Sequence, residues 1–211
     1  GVTGPNEYEN NVNNNFYTNY IAKWCINYAL ENIEIVKNDH ISDFKRIKEK
    51  TAISDVELAA WKNVADLMYF PYSEKHQVYL QQDGFLDKEL ISVAALDKSQ
   101  RPINQKWSWD RILRSPYIKQ ADTLQGFYFF EDDFTTEELA RHFDFYEPFT
   151  VHESSLSPCV HSIQAAKLDR MEQAYTFYLR TSRLDLDDYN HEVEEGLHIT
   201  SMAGTWMSIV E

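Results

Sequence analysis

Four short polar clusters hold the residues best suited to chemistry: Glu7 in PNEYEN, Lys119 and Gln120 in YIKQAD, Ser154 and Ser155 in HESSLSP, and His198 in GLHITSMAG. Each lies just before or just inside an expected helix start. A helix N-terminus offers unsatisfied amide donors and the positive end of the helix dipole, so this shared address suits an anionic ligand. Each residue also has a plainer reading. Glu7 reads as a solvated loop charge, Lys119 and Gln120 as surface residues of a first turn, the two serines as shapers of the turn before Ser157, and His198 as a satisfied core histidine. Lys119 is the least ordinary of them, because a helix dipole disfavours a cation at that end, which hints at a local anion or sugar partner. In a ring of paired antiparallel helices every inner helix starts at the same end, so clusters scattered along the chain would converge in one funnel.

Helix signals recur along the chain. Phe16, Tyr20, Trp24 and Tyr28 stand at i, i+4 spacing after Asn13, Asn14 and Asn15. This predicts a helix with a buried aromatic stripe, a sugar platform being the lesser reading. Ser54 with Glu57 and Thr135 with Glu138 make capping boxes ahead of Leu58, Trp61, Ala65 and Met68 and of Leu139, His142 and Tyr146. Ser115-Pro116 and Ser157-Pro158 read as an N-cap followed by proline at the first helical position. They predict helices over about 116 to 130 and from 158 onward, the latter split in two where Asp169 and Glu172 form a further capping box. A last helix starts near Ile199. Between Tyr72 and Arg114 the periodicity fades into a long ordered loop with Gly84 and a small hairpin, a length at which loops are often functional. The expected fold class is all-α, with about seven helices and no dominant sheet. That pattern suits a toroid of alternating inner and outer helices, of which it would be just over half.

The 211 residues carry 20 Lys and Arg against 34 Asp and Glu, a formal net charge of −14. No basic stripe exists to release counterions from a phosphate backbone, so nucleic acid is not an expected partner. With 43% hydrophobic and 14% aromatic residues the chain can build a substantial core. No apolar run approaches the roughly 20 residues that span a bilayer, and GVTGPNEYEN has neither a basic nor an apolar leader region, so neither a membrane nor an export route is expected. Cys25 and Cys159 are too far apart for a local metal hook and too few for a disulfide framework, which favours a reducing compartment, the cytoplasm. No histidines have convincing metal-ligand spacing, and no metal is expected.

Taken together and in order, GVTGPNEYENNVNNNFYTNYIAKW, RPINQKWSWDRILRSPYIKQAD, FYEPFTVHESSLSPCVH and EEGLHITSMAGTW resemble the catalytic-domain motifs of glycoside hydrolase family 65, the disaccharide phosphorylases. The resemblance spans essentially the whole chain. Within the family, QKWSWDRILRSPYIKQAD and HESSLSPCVHS are most similar to the members that cleave maltose, with trehalose and kojibiose phosphorylases as alternatives. The resemblance implies an (α/α)6 barrel, of which residues 1–211 would be the C-terminal portion, with a β-sandwich, a linker and the first barrel helices upstream. It also implies inverting phosphorolysis of maltose to β-D-glucose 1-phosphate and D-glucose, inorganic phosphate as co-substrate, no cofactor, and a homodimer for the full-length enzyme. By the same resemblance Glu7 matches the general acid, Lys119 and Gln120 the glucosyl subsite, and Ser154, Ser155 and His198 the phosphate-binding loops. Glu153 stands where many relatives have glycine before the paired hydroxyl residues.

Those residue types fit that chemistry. Cleaving a glycosidic bond needs a proton donor for the leaving oxygen and a nucleophile on the opposite face, and an inverting hydrolase supplies a second carboxylate to activate water. Phosphate is already anionic and nucleophilic, so hydroxyls, amides and an imidazole can replace that carboxylate, which would repel it. Glu7 then needs its acid form, favoured by desolvation or by bound phosphate. Two other readings remain open: an inverting hydrolase with Glu153, Glu194 or Glu195 as base, and a non-catalytic carbohydrate-binding piece.

Overall fold

The computed structural model describes residues 1–189 and 191–211. Helices α1 (Phe16–Asp39), α2 (Ile41–Thr51) and α3 (Asp55–Asp66) are followed by a hairpin of β1 (Tyr72–Ser73) and β2 (Val78–Tyr79), antiparallel with Tyr72 opposite Tyr79. After a run of 3-10 turns come α4 (Ile103–Lys106), α5 (Trp109–Arg114), α6 (Thr123–Phe129), α7 (Thr136–Tyr146), α8 (Pro158–Lys167), α9 (Met171–Ser182), α10 (Leu184–Asp187) and α11 (Ile199–Val210). Eleven α-helices among the described residues replace the seven expected. The additions are short or highly charged, and α2 buries no residue at all, so apolar periodicity had nothing to register there.

Side-chain caps begin helices where the sequence provides them. Ser54 accepts the Glu57 amide, and Thr135 and Glu138 exchange both bonds of a capping box. The helix expected from Pro116 instead starts at Thr123. Ser115 closes α5 by donating its hydroxyl to the Ile112 carbonyl at 2.7 Å. Ile118 then runs extended beside Thr150, its amide donating to Phe149 and its carbonyl accepting from Val151. Tyr117 and Ile118 are both buried, a two-sided burial that suits an extended segment. Lys119 and Gln120 therefore sit in a loop ahead of α6 and not in a first turn. The split after 158 is observed, but Asp169 does not cap α9. It adopts φ 57°, and the Arg170 amide returns to the Ala165 carbonyl, a left-handed helix ending.

The chain forms two compact units, one of Gly1–Tyr17 with Pro71–Glu211 and one of Thr18–Phe70. In the second, the expected buried stripe fails beyond Phe16. Trp24 and Tyr28 are 45% and 54% exposed and stack on each other, ring centroids 5.0 Å apart. In the first unit, α8 lies centrally: every residue from Pro158 to Ala165 is buried, the behaviour of a helix covered all round. It packs against α9 and α11. Its polar groups are matched, Ser162 donating to the Ala174 carbonyl and Gln164 to that of Leu124. One core joins Leu124, Phe143, Tyr146, Val160 and Phe177. A smaller one joins Tyr8, Ile103, Ile112, Tyr117 and Val151 and anchors the segment that carries Glu7.

His142 links α7 to the hairpin. Its Nε2 accepts the Tyr79 amide at 2.7 Å and its Nδ1 donates to the Glu138 carbonyl at 2.7 Å, so only the neutral ring fits. Burial lowers its pKa to about 4. The folded state thus binds this proton more weakly than the unfolded chain. The stability contribution is complete above pH 6.5 and is lost as pH falls towards 4, a difference of up to about 3 kcal/mol. Urea unfolding between pH 4 and 7 should show this slope, and His142→Gln should flatten it. An equal slope in the variant would assign the loss to other groups.

Candidate active site

Glu7 is presented by a loop whose neighbours are fixed and buried. The Asn6 amide donates to Asp122 Oδ2 at 3.0 Å, and the Asn15 side chain donates to Asp122 Oδ1 at 2.8 Å. Asn6 Oδ1 in turn accepts the amides of Tyr8 at 3.1 Å and Lys119 at 3.0 Å, and Gln120 donates to the Pro5 carbonyl at 2.7 Å. Only glycine fits at position 4, where a Cβ would stand 2.5 Å from both Asn15 Nδ2 and Asp122 Oδ2. Burial pushes the Asp122 carboxyl up to about 7, opposed by the bonds from Asn6 and Asn15. Between these anchors Glu7 projects outward with its side chain 52% exposed, and its carboxylate pairs with the Lys119 ammonium. The desolvated setting expected for an acid is not present around Glu7 in this chain. Lys119 also lies 6.0 Å from the centroid of the Tyr8 ring.

Glu153 is the hub of the next layer and is 2% exposed. Its Oε2 accepts the Tyr8 hydroxyl at 3.0 Å and the Ile103 amide at 2.8 Å, and its Oε1 accepts Arg101 Nε at 3.0 Å. Arg101 donates its other arm to the Val151 carbonyl. Burial, and then the charge of Glu153, raise the Tyr8 phenol above its ordinary range. One carboxylate thus ties the loop of Glu7, the segment that leads into α4 and the loop of Ser154 into one body. With three donors on about four lone-pair sites and almost no exposure, Glu153 has little room to hold and activate a water. Glu194 and Glu195 are exposed on a 3-10 turn.

Ser154 is buried, and its hydroxyl accepts the Leu156 amide at 3.2 Å. Ser157, expected as a side-chain cap, occupies the N-cap position but turns its hydroxyl to His152 Nδ1 at 2.8 Å. His198 occupies the N-cap position of α11. Its amide donates to Asp185 Oδ2 at 2.9 Å and its Nδ1 lies 2.5 Å from Asp185 Oδ1, bonds that hold Asp185 below the usual carboxylate range. This fixes the ring, with Nε2 facing the Glu192 carboxylate at 4.0 Å. The four clusters do precede α1, α6, α8 and α11. Direct contacts join Glu7 to Lys119 and Gln120 to Pro5.

Sequence reading missed Asn6, Tyr8, Asp122 and Asp185, although the first three lie inside the motifs quoted above. It missed Arg101 as the partner of Glu153 as well. Among the described residues, Glu147, His152 and His161 also bring their donor atoms within 4.8 Å of one another, a grouping that no short motif announces. A cleft of about 1310 Å³ is lined by Glu147 and His152 and by none of the residues expected for catalysis; contacts, and not cavity size, define the candidate active site.

Comparison with known proteins bears on what these residues do. The family model for the glycosyl hydrolase family 65 central catalytic domain matches residues 1–207. Over 210 residues the chain is 55% identical to a maltose phosphorylase of Bacillus subtilis (strain 168), covering 100% of this chain and 27% of that protein. It is 41% identical over 209 residues to an α,α-trehalose phosphorylase of Thermoanaerobacter brockii, covering 99% and 27%. A solved structure provisionally described as a kojibiose phosphorylase from the human microbiome superposes with a TM-score of 0.88 at 38% identity, over 100% of this chain and 27% of that one. The chain spans about a quarter of the length of these relatives. Its all-α architecture is that of part of an (α/α)6 barrel.

Proposed function

Because the chain belongs to glycosyl hydrolase family 65, we propose that it supplies the C-terminal portion of a catalytic domain that cleaves maltose by inverting phosphorolysis, giving β-D-glucose 1-phosphate and D-glucose. The observation that carries a phosphorylase over a hydrolase is the commitment of Glu153 to Tyr8, Ile103 and Arg101. It takes the carboxylate next to Ser154 and Ser155 out of contention as a water-activating base. The 55% identity to a maltose phosphorylase, against 41% to a trehalose phosphorylase, supports the choice of disaccharide.

In this reading a phosphate oxygen attacks the anomeric carbon from the face opposite the leaving sugar. The bond from that carbon to the glycosidic oxygen breaks, and the oxygen takes the proton of Glu7. When the disaccharide enters and water is excluded, Glu7 gives up its counter-ion Lys119 and takes up the proton it then donates to the leaving oxygen, while Gln120 shapes the glucosyl side. Ser154, Ser155 and the His198 imidazole hold the phosphate. A chain of net charge −14 does not gather phosphate by its overall field, so these local donors must do it. The free thiols of Cys25 and Cys159 support a cytoplasmic setting.

The test is glucose release from maltose, trehalose and kojibiose by the full-length enzyme, with and without phosphate, and identification of the anomer formed. Release from maltose that needs no phosphate would overturn the reading. In the same assay, His198→Ala should raise the apparent phosphate constant about ten- to a hundredfold, the equivalent of roughly 1.5–3 kcal/mol for one lost charge-assisted bond, and the double change Ser154→Ala, Ser155→Ala should raise it further, by up to about 10²–10⁴-fold. The maltose constant should change little. The opposite split would assign these side chains to the sugar subsites.

A further inference from the structure

We propose that Glu147, His152 and His161 form a binding site for a divalent transition-metal ion, a two-histidine, one-carboxylate set at the base of the loop that carries Ser154. The three come from different elements. Glu147 opens the 3-10 turn Glu147–Phe149 after α7, His152 lies in the loop that follows with φ 54°, and His161 is in the first turns of α8. Their donor atoms lie within 4.8 Å of one another. His152 Nε2 is 3.3 Å from each oxygen of Glu147, and His161 Nδ1 is 2.6 Å from Glu147 Oε2. Ligands at about 2.0–2.1 Å around a tetrahedral ion stand roughly 3.3 Å apart, so the set needs only small adjustments to close on one.

The bonding around the cluster points the same way. His161 is fully buried, with its Nδ1 against Glu147 Oε2 and its Nε2 without a hydrogen-bond partner. Buried polar atoms are nearly always matched, so this imidazole is under-satisfied as it stands. His152 has the outer bond expected of a metal-ligating histidine. Its Nδ1 is held by Ser157 Oγ at 2.8 Å, which aims Nε2 at Glu147, and its carbonyl is held by Arg180 at 2.7 Å. Glu147 and His152 reach the wall of the 1310 Å³ cleft, which gives an ion a route in and room for water ligands. Two imidazoles with one carboxylate suit zinc, iron, cobalt or nickel and not calcium or magnesium. The positive charge of Arg180 opposes a dication, so the affinity should be below that of a closed structural zinc site.

This site is independent of the catalytic reading, and its test reads metal and not activity. The full-length protein, stripped with a chelator that is then removed and checked for folding by circular dichroism, is titrated with Co²⁺ and then Zn²⁺. The expected result is one equivalent of Co²⁺ with a visible ligand-field band, its displacement by Zn²⁺, and a melting temperature that rises with metal concentration. Ser157→Ala, which leaves all three ligands in place, should weaken binding about 10–100-fold, and His161→Gln should abolish the band. No uptake by folded wild-type protein at millimolar metal overturns the proposal, as does uptake that Ser157→Ala leaves unchanged. Should His161→Gln fail to fold, the wild-type titration and Ser157→Ala decide the matter.

Discussion

Glu7→Gln in the full-length enzyme is expected to lower turnover by about 10²–10⁴-fold, the usual worth of general acid catalysis, while maltose still binds. The amide keeps the shape of the carboxyl group and the backbone that presents it, because Asn6 and Asp122 hold that backbone and not the Glu7 side chain. What it loses is the proton for the leaving oxygen. It also loses the charge that pairs with Lys119, so the freed ammonium should alter binding modestly and not remove it. Initial rates in the phosphorolytic and synthetic directions, with a calorimetric dissociation constant for maltose, separate the two effects. Both directions should fall together, since the same proton is donated in one and withdrawn in the other. Near-normal turnover would remove Glu7 from the role of acid.

Much of this site was legible because its residues fall in contiguous motifs. GPNEY contains Glu7 and the Asn6 that fixes it, and KQAD contains Lys119, Gln120 and Asp122. Local signals also gave the caps at Ser54 and Thr135, since each depends on residues a few positions apart, and the break between α8 and α9 comes where expected but from a left-handed helix ending at Asp169 and not from a capping box. Illegible from sequence were pairings that span the chain. Tyr8 and Glu153 are 145 positions apart and Asn6 and Asp122 are 116 apart, and no periodicity encodes them. Ser115-Pro116 misled because a serine can close a helix as readily as open one: its hydroxyl goes back to Ile112. Ser157 misled for a related reason, its hydroxyl being taken by His152. The three donors at Glu147, His152 and His161 come from a turn, a left-handed loop residue and a helix, so their spacing repeats no helix or hairpin register.

Glu153→Ala is expected to be the most destabilising of the single changes considered, at about 3–5 kcal/mol. The side chain is 3% exposed and its partner Arg101 28%, so removing the carboxylate strands a largely buried guanidinium. It also leaves the Tyr8 hydroxyl and the Ile103 amide without their acceptor. Water has little room to replace it, because Tyr8, Ile103 and Val151 belong to one packed core. Glu153→Gln should cost less, since its remaining carbonyl oxygen can accept from two of the three donors while its NH2 group faces the third. Arg114→Ala supplies the comparison. Its bond to Asp110 joins side chains 78% and 72% exposed, and losing such a surface pair is worth about 0–1 kcal/mol. Urea unfolding of the three variants, with an Arg101–Glu153 double-mutant cycle, measures the contrast, and a coupling above about 1 kcal/mol is expected for groups in one buried network. Because Glu153 ties the loop of Glu7 to that of Ser154, Glu153→Gln should also raise the apparent phosphate constant and lower turnover in protein that is still folded. If Glu153→Ala costs no more than Arg114→Ala, the two loops are held together by something other than this carboxylate, and the argument against Glu153 as a base for water loses its footing as well.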